Sequence, residues 1–301
     1  MTKYYRVYAD IDLDIISDNV DALMKLTPEG TGAVAVVKAD GYGHGDVAVA
    51  KAVYSKVCMY AVATLDEAVN LRENGIDKPI LILGFVNVDE YETLLRNEVT
   101  ATVFDYETAA ELDEVAGRLG KKALCHIKVD TGMRRIGLEP DKSGVEIVKN
   151  IKKLGNLDVK GIFTHFATSD EADKSKSERQ LHKFNSFVDM LKNEGITFQY
   201  VHCANSAAVI DMPDTYKDMV RLGIAMYGMY PSTEVDMERV QLKPALKLMS
   251  HVTYVKEVPE GEEVSYGGTF VTKRPSVIAT VAVGYGDGYP RALSSKGYVL
   301  I

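Results

Sequence analysis

Several features that would assign this chain to other protein classes are scarce or missing. The three cysteines, Cys58, Cys125 and Cys203, are odd in number and lie in apolar stretches. This indicates buried free thiols in a reducing compartment rather than a disulfide framework. The first residues contain no apolar core of a secretory signal, and no apolar run reaches the length of a membrane span. These absences predict a cytoplasmic protein that does not bind membranes.

Positive charge and nucleotide-binding motifs are lacking as well. Lys and Arg number 35 against 43 Asp and Glu, a net charge of -8, which argues against a nucleic-acid partner. No phosphate-binding loop of the Walker type is present. A dinucleotide fingerprint starting at Gly41 and Gly43 would need a third glycine where Asp46 stands. A doubly wound, nucleotide-binding sheet therefore lacks its signature, and no metal site is predicted.

What is present is a regular alternation of strand-like and helix-like segments. Candidate strands lie at 33–37, 58–63, 80–84, 100–104, 123–129, 159–165, 198–203 and 219–222, with helical patterns near 46–55, 65–74, 88–97, 107–118, 143–153 and 177–194. Eight strands that alternate with helices are typical of a (β/α)8 barrel. The predicted fold class is therefore α/β, with an open doubly wound sheet as the structural competitor.

The pattern changes near residue 240. Strand-like runs at 248–258, 263–272 and 276–284 follow one another with short turns and no helix between them. This predicts a mostly antiparallel β domain. We therefore place a barrel domain at 1–238 and a β-rich domain at 239–301, and expect the strand-like residues 1–11 to pack with the second domain.

Lys38 is the first candidate for chemistry. The apolar segment 33–37 reads as a strand buried on both faces, and it runs directly into Lys38 and a glycine-rich turn. A lysine held there can attack a carbonyl with its amine and form a Schiff base. In a barrel, residues that follow the strands share one catalytic rim. The polar residues and glycine in such positions are Lys38, Tyr42, Arg135, His165, Asn205, Ser206, Arg221 and Gly223.

The string Lys38-Ala-Asp-Gly-Tyr-Gly-His-Gly45 resembles the pyridoxal-5'-phosphate (PLP) lysine motif of the alanine racemase family. Further matches occur in the family's order, at Lys128-Val-Asp-Thr-Gly-Met133 with Arg135, Phe163-Thr-His-Phe166, His202-Cys-Ala-Asn-Ser206, Arg221-Leu-Gly-Ile-Ala-Met-Tyr-Gly228, Val264-Ser-Tyr-Gly267 and Val283-Gly-Tyr-Gly-Asp-Gly-Tyr-Pro-Arg291. The resemblance covers nearly the whole chain. It implies a fold-type III PLP enzyme.

The resemblance implies a role for each matched barrel residue. Lys38 would bind PLP covalently and act as the acid/base on one face of the substrate, and Arg221 would face the pyridine nitrogen. Because a guanidinium keeps its proton, Arg221 would leave that nitrogen unprotonated and suppress side reactions such as transamination. The remaining assignments are Tyr42, Ser206, Gly223 and Ile224 at the phosphate, His165 beside the ring, and Arg135 at the substrate carboxylate.

The resemblance places the second base in the β domain. Tyr266 would enter the site from the partner subunit, which implies a homodimer with shared sites, and Tyr285 would line the entrance. Lys128 matches a lysine that is carbamylated in some family members, and an ordinary ion-pairing lysine is the alternative. The implied function is two-base interconversion of L- and D-alanine, which supplies D-alanine for peptidoglycan.

Two alternatives stay open at this point, and one departure from the family pattern bears on them. The alternatives are a racemase of serine or of broader specificity, and a non-catalytic PLP-binding protein. The family's later Cys-Met-Asp segment and phosphate-binding tyrosine are absent by Ile301. We therefore expect the β domain to be truncated, and its exposed strand edges to favour aggregation.

Overall fold

A computed structural model describes residues 5–300 of the chain. The chain divides into two compact units, each of which is described by itself below. One unit spans Asp12–Ala245, and the other combines the amino-terminal residues up to Ile11 with those from Leu246 onward. The structure therefore groups residues 5–11 with the β-rich part of the chain.

The first unit contains eight parallel strands. After β1 (Val7–Ile11), which belongs to the other unit, these strands are β2 (Gly32–Val36), β3 (Met59–Val62), β4 (Ile80–Ile82), β5 (Ala101–Val103), β6 (Ala123–Lys128), β7 (Leu157–Phe163), β8 (Tyr200–His202) and β9 (Met219–Leu222). They form two four-stranded sheets, β4-β3-β2-β9 and β5-β6-β7-β8. A parallel bridge between Leu81 and Thr100 joins the sheets at one seam. At the other seam, Asp218 N donates to Val201 O. The ring of strands closes, and the predicted barrel is confirmed.

Helices follow the strands around the barrel. They span Leu13–Met24, Asp46–Ala52, Leu65–Glu73, Tyr91–Arg96, Tyr106–Arg118, Lys142–Ile151, Ser175–Asn193 and Ser206–Asp211. Their starts are set by local capping: Thr64 forms a capping box with Glu67, and the Asp105 carboxylate accepts from Thr108 N. These caps satisfy amides that have no partner inside the helix, and they fix where these two helices begin.

The barrel interior is filled by side chains from alternate strand positions. Val34, Val36 and Met59 pack together in one buried cluster, which is completed by Ala61, Leu81 and Met219. Strands buried on both faces read as continuous apolar runs, which is why β2 could be recognised in the sequence. Near β6 and β9 the interior turns polar, and the functional residues described below lie there.

The segment before Leu246 belongs to the barrel unit, whereas the sequence predicted a domain boundary after residue 238. Asn19 Nδ2 donates to Lys243 O at 2.9 Å, and Lys243 N donates back to Asn19 Oδ1 at 3.0 Å. The Tyr230 hydroxyl donates to Val240 O at 2.7 Å. The segment forms no helix or strand, so its local pattern did not reveal these distant partners.

The second unit contains three antiparallel strand pairs. Strand β1 pairs with β10 (Leu246–Ser250), β11 (Val252–Val258) with β14 (Ser276–Val281), and β12 (Glu263–Val264) with β13 (Phe270–Val271). The predicted run 263–272 is interrupted by a 3-10 turn at Tyr266–Gly268, because Ser265 and Gly267 adopt positive φ angles of 64° and 78°. Such angles end a strand. Among the described residues, no helix is long and apolar enough to cross a membrane.

Candidate active site

A cavity of about 290 Å³ opens where the barrel strands end. Its lining comes from the residues that follow six of the strands, such as Lys38 after β2 and Gly223 after β9. Seven predicted site residues line it together: Lys38, Tyr42, His165, Ser206, Arg221, Gly223 and Ile224. Leu83, Met133, Phe166, Asp170 and Pro231 also line it and were not predicted; only Met133 and Phe166 lie within a quoted motif. The barrel thus brings one coherent part of the predicted site together.

Lys38 begins a left-handed turn. Ala39, Asp40, Gly41 and Tyr42 have φ angles between 52° and 58°, in a region that side chains other than glycine rarely adopt. Such a turn costs roughly 1–2 kcal/mol for each residue with a Cβ. Glu67 Oε1 accepts from Ala39 N at 2.7 Å, and Gly41 N donates to Val37 O at 2.9 Å. These bonds hold the strained backbone beside the reactive amine.

Tyr42 is fixed by the aromatic residues behind this turn. Its ring lies 5.2 Å from that of Tyr227, whose hydroxyl donates to Val36 O at 3.0 Å. The Lys38 Nζ lies 5.9 Å from the centre of the Tyr42 ring. Burial raises the pKa of Tyr42, so its hydroxyl stays protonated and can donate a hydrogen bond. The supporting role of Tyr227 was not predicted, although the residue stands inside a quoted motif.

Gly223 forms the floor of an anion cradle. A Cβ at this position would lie 3.4 Å from the Tyr42 hydroxyl and 3.5 Å from Ser206 Oγ, so the glycine leaves a small space between two hydroxyl groups. Ser206 Oγ accepts from Gly223 N at 3.0 Å and from Ala225 N at 3.3 Å, which orients the hydroxyl. A space flanked by two hydroxyl groups is suited to the oxygens of a phosphate ester.

Arg221 is 3% exposed and has no carboxylate partner among the described residues. Its Nη2 donates to Thr164 O and Cys203 O, each at 2.9 Å, and its Nη1 donates to His202 Nδ1, also at 2.9 Å. Burial lowers the pKa of Arg221 to about 10, so the guanidinium stays charged at neutral pH. A structural salt bridge therefore does not explain this arginine.

Arg221 Nη2 also donates a hydrogen bond to His165 Nδ1, at a distance of 3.2 Å. Burial, followed by the charges of Arg221 and Arg135, lowers the pKa of His165 to about 3. The imidazole is therefore neutral at physiological pH. Arg135 itself is exposed and lies outside the cavity lining, although its charge reaches His165.

Lys128 is buried at the end of β6, with 2% of its surface exposed. Its Nζ donates to Val129 O at 2.9 Å and forms no ion pair with a described carboxylate. Burial, helped by the charge of Arg221, lowers the pKa of Lys128 to about 8. Lys128 thus forms no direct ion pair with a described carboxylate, and the nearby charge of Asp130 favours its protonated form. Carbamylation and an ordinary lysine both remain predictions.

Two predicted residues belong to the second unit. Tyr266 stands in the 3-10 turn Tyr266–Gly268 and is 89% exposed. Tyr285 begins the 3-10 turn Tyr285–Asp287 and is 72% exposed. Neither side chain packs into its own unit, and their contributions to a site remain predictions.

Comparison with known proteins covers both units. Residues 11–231 match the family model "Alanine racemase, N-terminal domain", and residues 245–301 match "Alanine racemase, C-terminal domain". A curated alanine racemase of Desulforamulus reducens is 45% identical over 98% of this chain and 80% of the relative. The similarity therefore extends across nearly all of the sequence.

Solved structures agree with this result. The alanine racemase of Clostridium difficile 630 superposes with a TM-score of 0.90 at 41% identity, over 95% of this chain and 75% of the other. Alanine racemase of Bacillus anthracis, solved with bound L-Ala-P, has a TM-score of 0.86 at 37% identity, over 97% of this chain and 76% of the other. By sequence and by fold, the chain belongs to the alanine racemase family.

Proposed function

We propose that the chain is a PLP-dependent isomerase that interconverts L- and D-alanine with two bases. The observation that carries this proposal is the convergence of the Lys38 amine, the anion cradle at Gly223 and the guanidinium of Arg221 in one cavity. An aldehyde, a phosphate and a ring nitrogen are the three groups that such a set would bind. The names of the similar proteins support alanine as the substrate.

The residues present fit PLP at its opposite ends. The Tyr42 and Ser206 hydroxyls with the backbone of Gly223 and Ile224 would hold the phosphate, because the glycine leaves the space that a Cβ would fill. Arg221 would donate to the pyridine nitrogen. PLP, when bound, supplies the electron sink that acidifies the substrate's α-C–H bond. A permanently charged donor keeps a proton off the ring nitrogen and moderates that sink.

Racemisation removes a proton from one face of the α-carbon and returns one to the other, so two groups share the task. The Lys38 Nζ would act on one face, held by the left-handed turn. The Tyr266 hydroxyl of the partner subunit would act on the other. A phenol with an ordinary pKa near 10 is a weak base at neutral pH, so it would need cationic neighbours that favour the phenolate.

Substrate binding and entry are assigned to charged and aromatic groups near the rim. We place Arg135 at the substrate carboxylate, where a guanidinium can form two parallel hydrogen bonds. Tyr285 of the partner subunit would line the entrance. The product, D-alanine, would serve cell-wall synthesis, and a cytoplasmic location remains part of the proposal.

Racemisation by the purified chain is the direct test. The 301-residue protein is incubated with PLP and L-alanine, and the optical rotation of the solution is followed to equilibrium. Decay of rotation to zero supports the proposal. Binding of PLP without any loss of rotation would identify a non-catalytic PLP-binding protein. Parallel incubation with L-serine separates a narrow from a broad specificity.

A further inference from the structure

A polar column runs from Arg221 into the barrel interior. Arg221 Nη1 lies 2.9 Å from His202 Nδ1, and His202 Nε2 lies 3.1 Å from His126 Nδ1. Both histidines have no exposed surface. The column therefore continues the Arg221 hydrogen-bond network through two imidazoles that contact neither substrate nor solvent.

The proton positions in this column follow from the chemistry of its first member. A guanidinium has five donors and no acceptor, so His202 Nδ1 must be an acceptor without a proton. A neutral His202 then carries its proton on Nε2 and donates it to His126 Nδ1. His126 in turn must carry its proton on Nε2. One arginine thus dictates the tautomers of both histidines.

The surroundings keep both histidines neutral. Burial lowers the pKa of His126 to about 4. Burial, together with the nearby charges of Arg221 and Lys128, also lowers the pKa of His202 well below the usual value of a histidine. No described carboxylate contributes to either pKa. A second proton on either ring would place two N–H donors face to face, with no acceptor for either. The column therefore has a single protonation pattern at neutral pH.

The column ends at an unpartnered atom. His126 Nε2 is the one buried side-chain nitrogen or oxygen without a hydrogen-bond partner in the part of the chain that the structure describes. A buried N–H without a partner costs about as much free energy as a lost hydrogen bond. The hydrogen bond that the His126 ring makes within the column is therefore the one at its acceptor atom, Nδ1.

The backbone makes room for this imidazole. The pairing of β6 with β7 shifts between Cys125 and His126, so that Cys125 lies opposite Val159 but His126 lies opposite Gly161. The extra residue on β7 brings the glycine to the position that faces the ring. A Cβ on Gly161 would lie 2.7 Å from both Nδ1 and Cε1 of His126. The irregularity and the glycine together create the space that the ring occupies.

We propose that His126 is a positioning residue for the cavity: by accepting from His202 Nε2 it holds that ring in one orientation, and thereby holds the Arg221 guanidinium in place. No described residue accepts from Arg221 Nε, which leaves that edge available to a ligand in the cavity. The consequence for the reaction rests on the proposed function. The predicted tautomers do not rest on the proposed function, because they follow from contacts within the barrel.

The tautomers are tested by ¹⁵N NMR of the chain without PLP, labelled on its histidines. We expect the imidazoles of His126 and His202 to carry a proton on Nε2 and none on Nδ1 between about pH 5 and 8. A proton on Nδ1 of either ring, or a doubly protonated ring in this range, would overturn the proposal. This result does not depend on whether the chain racemises alanine.

Variants of His126 test the positioning role. His126→Asn places an amide oxygen near the former Nδ1, and we expect His202 to keep its Nε2–H signal. His126→Leu removes the acceptor, and we expect His202 to keep its tautomer while its Nε2–H signal loses the shift of a hydrogen-bonded N–H. Gly161→Ala displaces the ring without changing its chemistry and should resemble His126→Leu. Unchanged His202 signals in both His126→Leu and Gly161→Ala would reduce His126 to a packing residue.

The effect on the cavity is measured in the protein reconstituted with PLP. For His126→Leu we expect the ratio of transamination to racemisation to rise about tenfold, because Arg221 is held less firmly. His126→Asn should restore the ratio. Cys125→Ala, a buried change on the opposite face of the same strand, is the matched control and should leave the ratio unchanged. An unchanged ratio in His126→Leu would contradict the proposal.

Discussion

In the barrel unit, Arg221 and His202 are buried and hydrogen-bonded, whereas in the second unit Tyr266 and Tyr285 expose 89% and 72% of their surface. The barrel completes the environment of its functional groups by itself. The second unit presents its functional groups outward, where a phenol has ordinary solvent on most sides. Such a tyrosine gains a defined environment only in a cavity supplied from elsewhere, which is what the proposed two-chain site requires.

The two units also differ in how firmly the surrounding structure holds the backbone near the functional residues. The left-handed turn after Lys38 is strained at Ala39, Asp40 and Tyr42, and Glu67 and Val37 hold it by hydrogen bonds from within the barrel. Strain of this kind persists only where the surrounding structure enforces it. The strands of the second unit are short pairs with mostly exposed side chains. We therefore expect changes in the barrel to act on cofactor binding and changes at Tyr266 to act on catalysis alone.

Lys38→Ala is expected to have the largest effect. The variant loses the amine that binds PLP and serves as one base, so racemisation should fall by about 10⁴-fold or more. Polarimetry with L-alanine measures the loss. The fold should be unaffected, because the side chain is only partly buried. Racemisation within tenfold of the unaltered protein would remove the barrel lysine from the reaction.

Tyr266→Phe removes the exposed phenol and leaves the barrel untouched. We expect α-proton exchange from L-alanine in D₂O to fall by about 10³-fold, since a positioned acid/base contributes on the order of 10²–10⁴-fold. Exchange from D-alanine should fall far less, and the affinity for PLP should not change. Tyr285→Phe is the control and should alter both exchange rates equally. Equal losses for both enantiomers in Tyr266→Phe would argue against a division of the two faces between two bases.

Acid should destabilise the barrel unit through its neutral histidines. The folded-state pKa of His126 is about 4, below the unfolded value near 6.5, so its stabilising contribution is present above pH 6.5 and is lost as the pH falls. His202 changes in the same direction. The same holds for His165, whose pKa is about 3. Between pH 6 and 5 each of the three histidines should lower the free energy of unfolding by about 1.2 kcal/mol, or about 3.5 kcal/mol together.

Urea unfolding monitored at several pH values measures this slope. In His126→Asn one of the three titrating groups is gone, so about a third of the slope should disappear. A slope that is the same in the variant would show that His126 takes up its proton in the folded protein, against the fixed protonation of the column.

Gly223→Ala is expected to have the smallest effect of the four. The added Cβ would lie 3.4 Å from the Tyr42 hydroxyl and 3.5 Å from Ser206 Oγ, so it would occupy the space between these two groups. We expect the affinity for PLP to fall about tenfold. Equilibrium titration by visible absorbance measures the affinity. Gly155→Ala, where a Cβ meets nothing within 4 Å, is the control; equal affinities in the two variants would remove Gly223 from the phosphate site.

The sequence predicted the barrel well because its signals are local. Strand β2 is a continuous apolar run, and Thr64 with Glu67 marks the start of a helix by its own hydrogen bonds. The cavity residues followed from one topological rule, that the carboxyl ends of barrel strands meet at one rim. Lys38 and Arg221 are placed by that rule alone.

What the sequence did not predict depends on contacts between distant residues. The barrel unit continues to Ala245 because Asn19 binds Lys243, a pairing without any local pattern. The role of His126 depends on the pairing of β6 with β7, which places Gly161 opposite the ring. A glycine inside a strand was the only sequence signal, and it does not reveal which side chain needs the space.

The central claim is that the Lys38 amine forms the covalent bond to PLP in the barrel cavity. The most direct measurement is reduction of the PLP-loaded protein with borohydride, followed by proteolysis and mass spectrometry of the modified peptide. The account predicts a single pyridoxyl group, on the peptide that contains Lys38. A modification on any other lysine, with Lys38 unmodified, would contradict it.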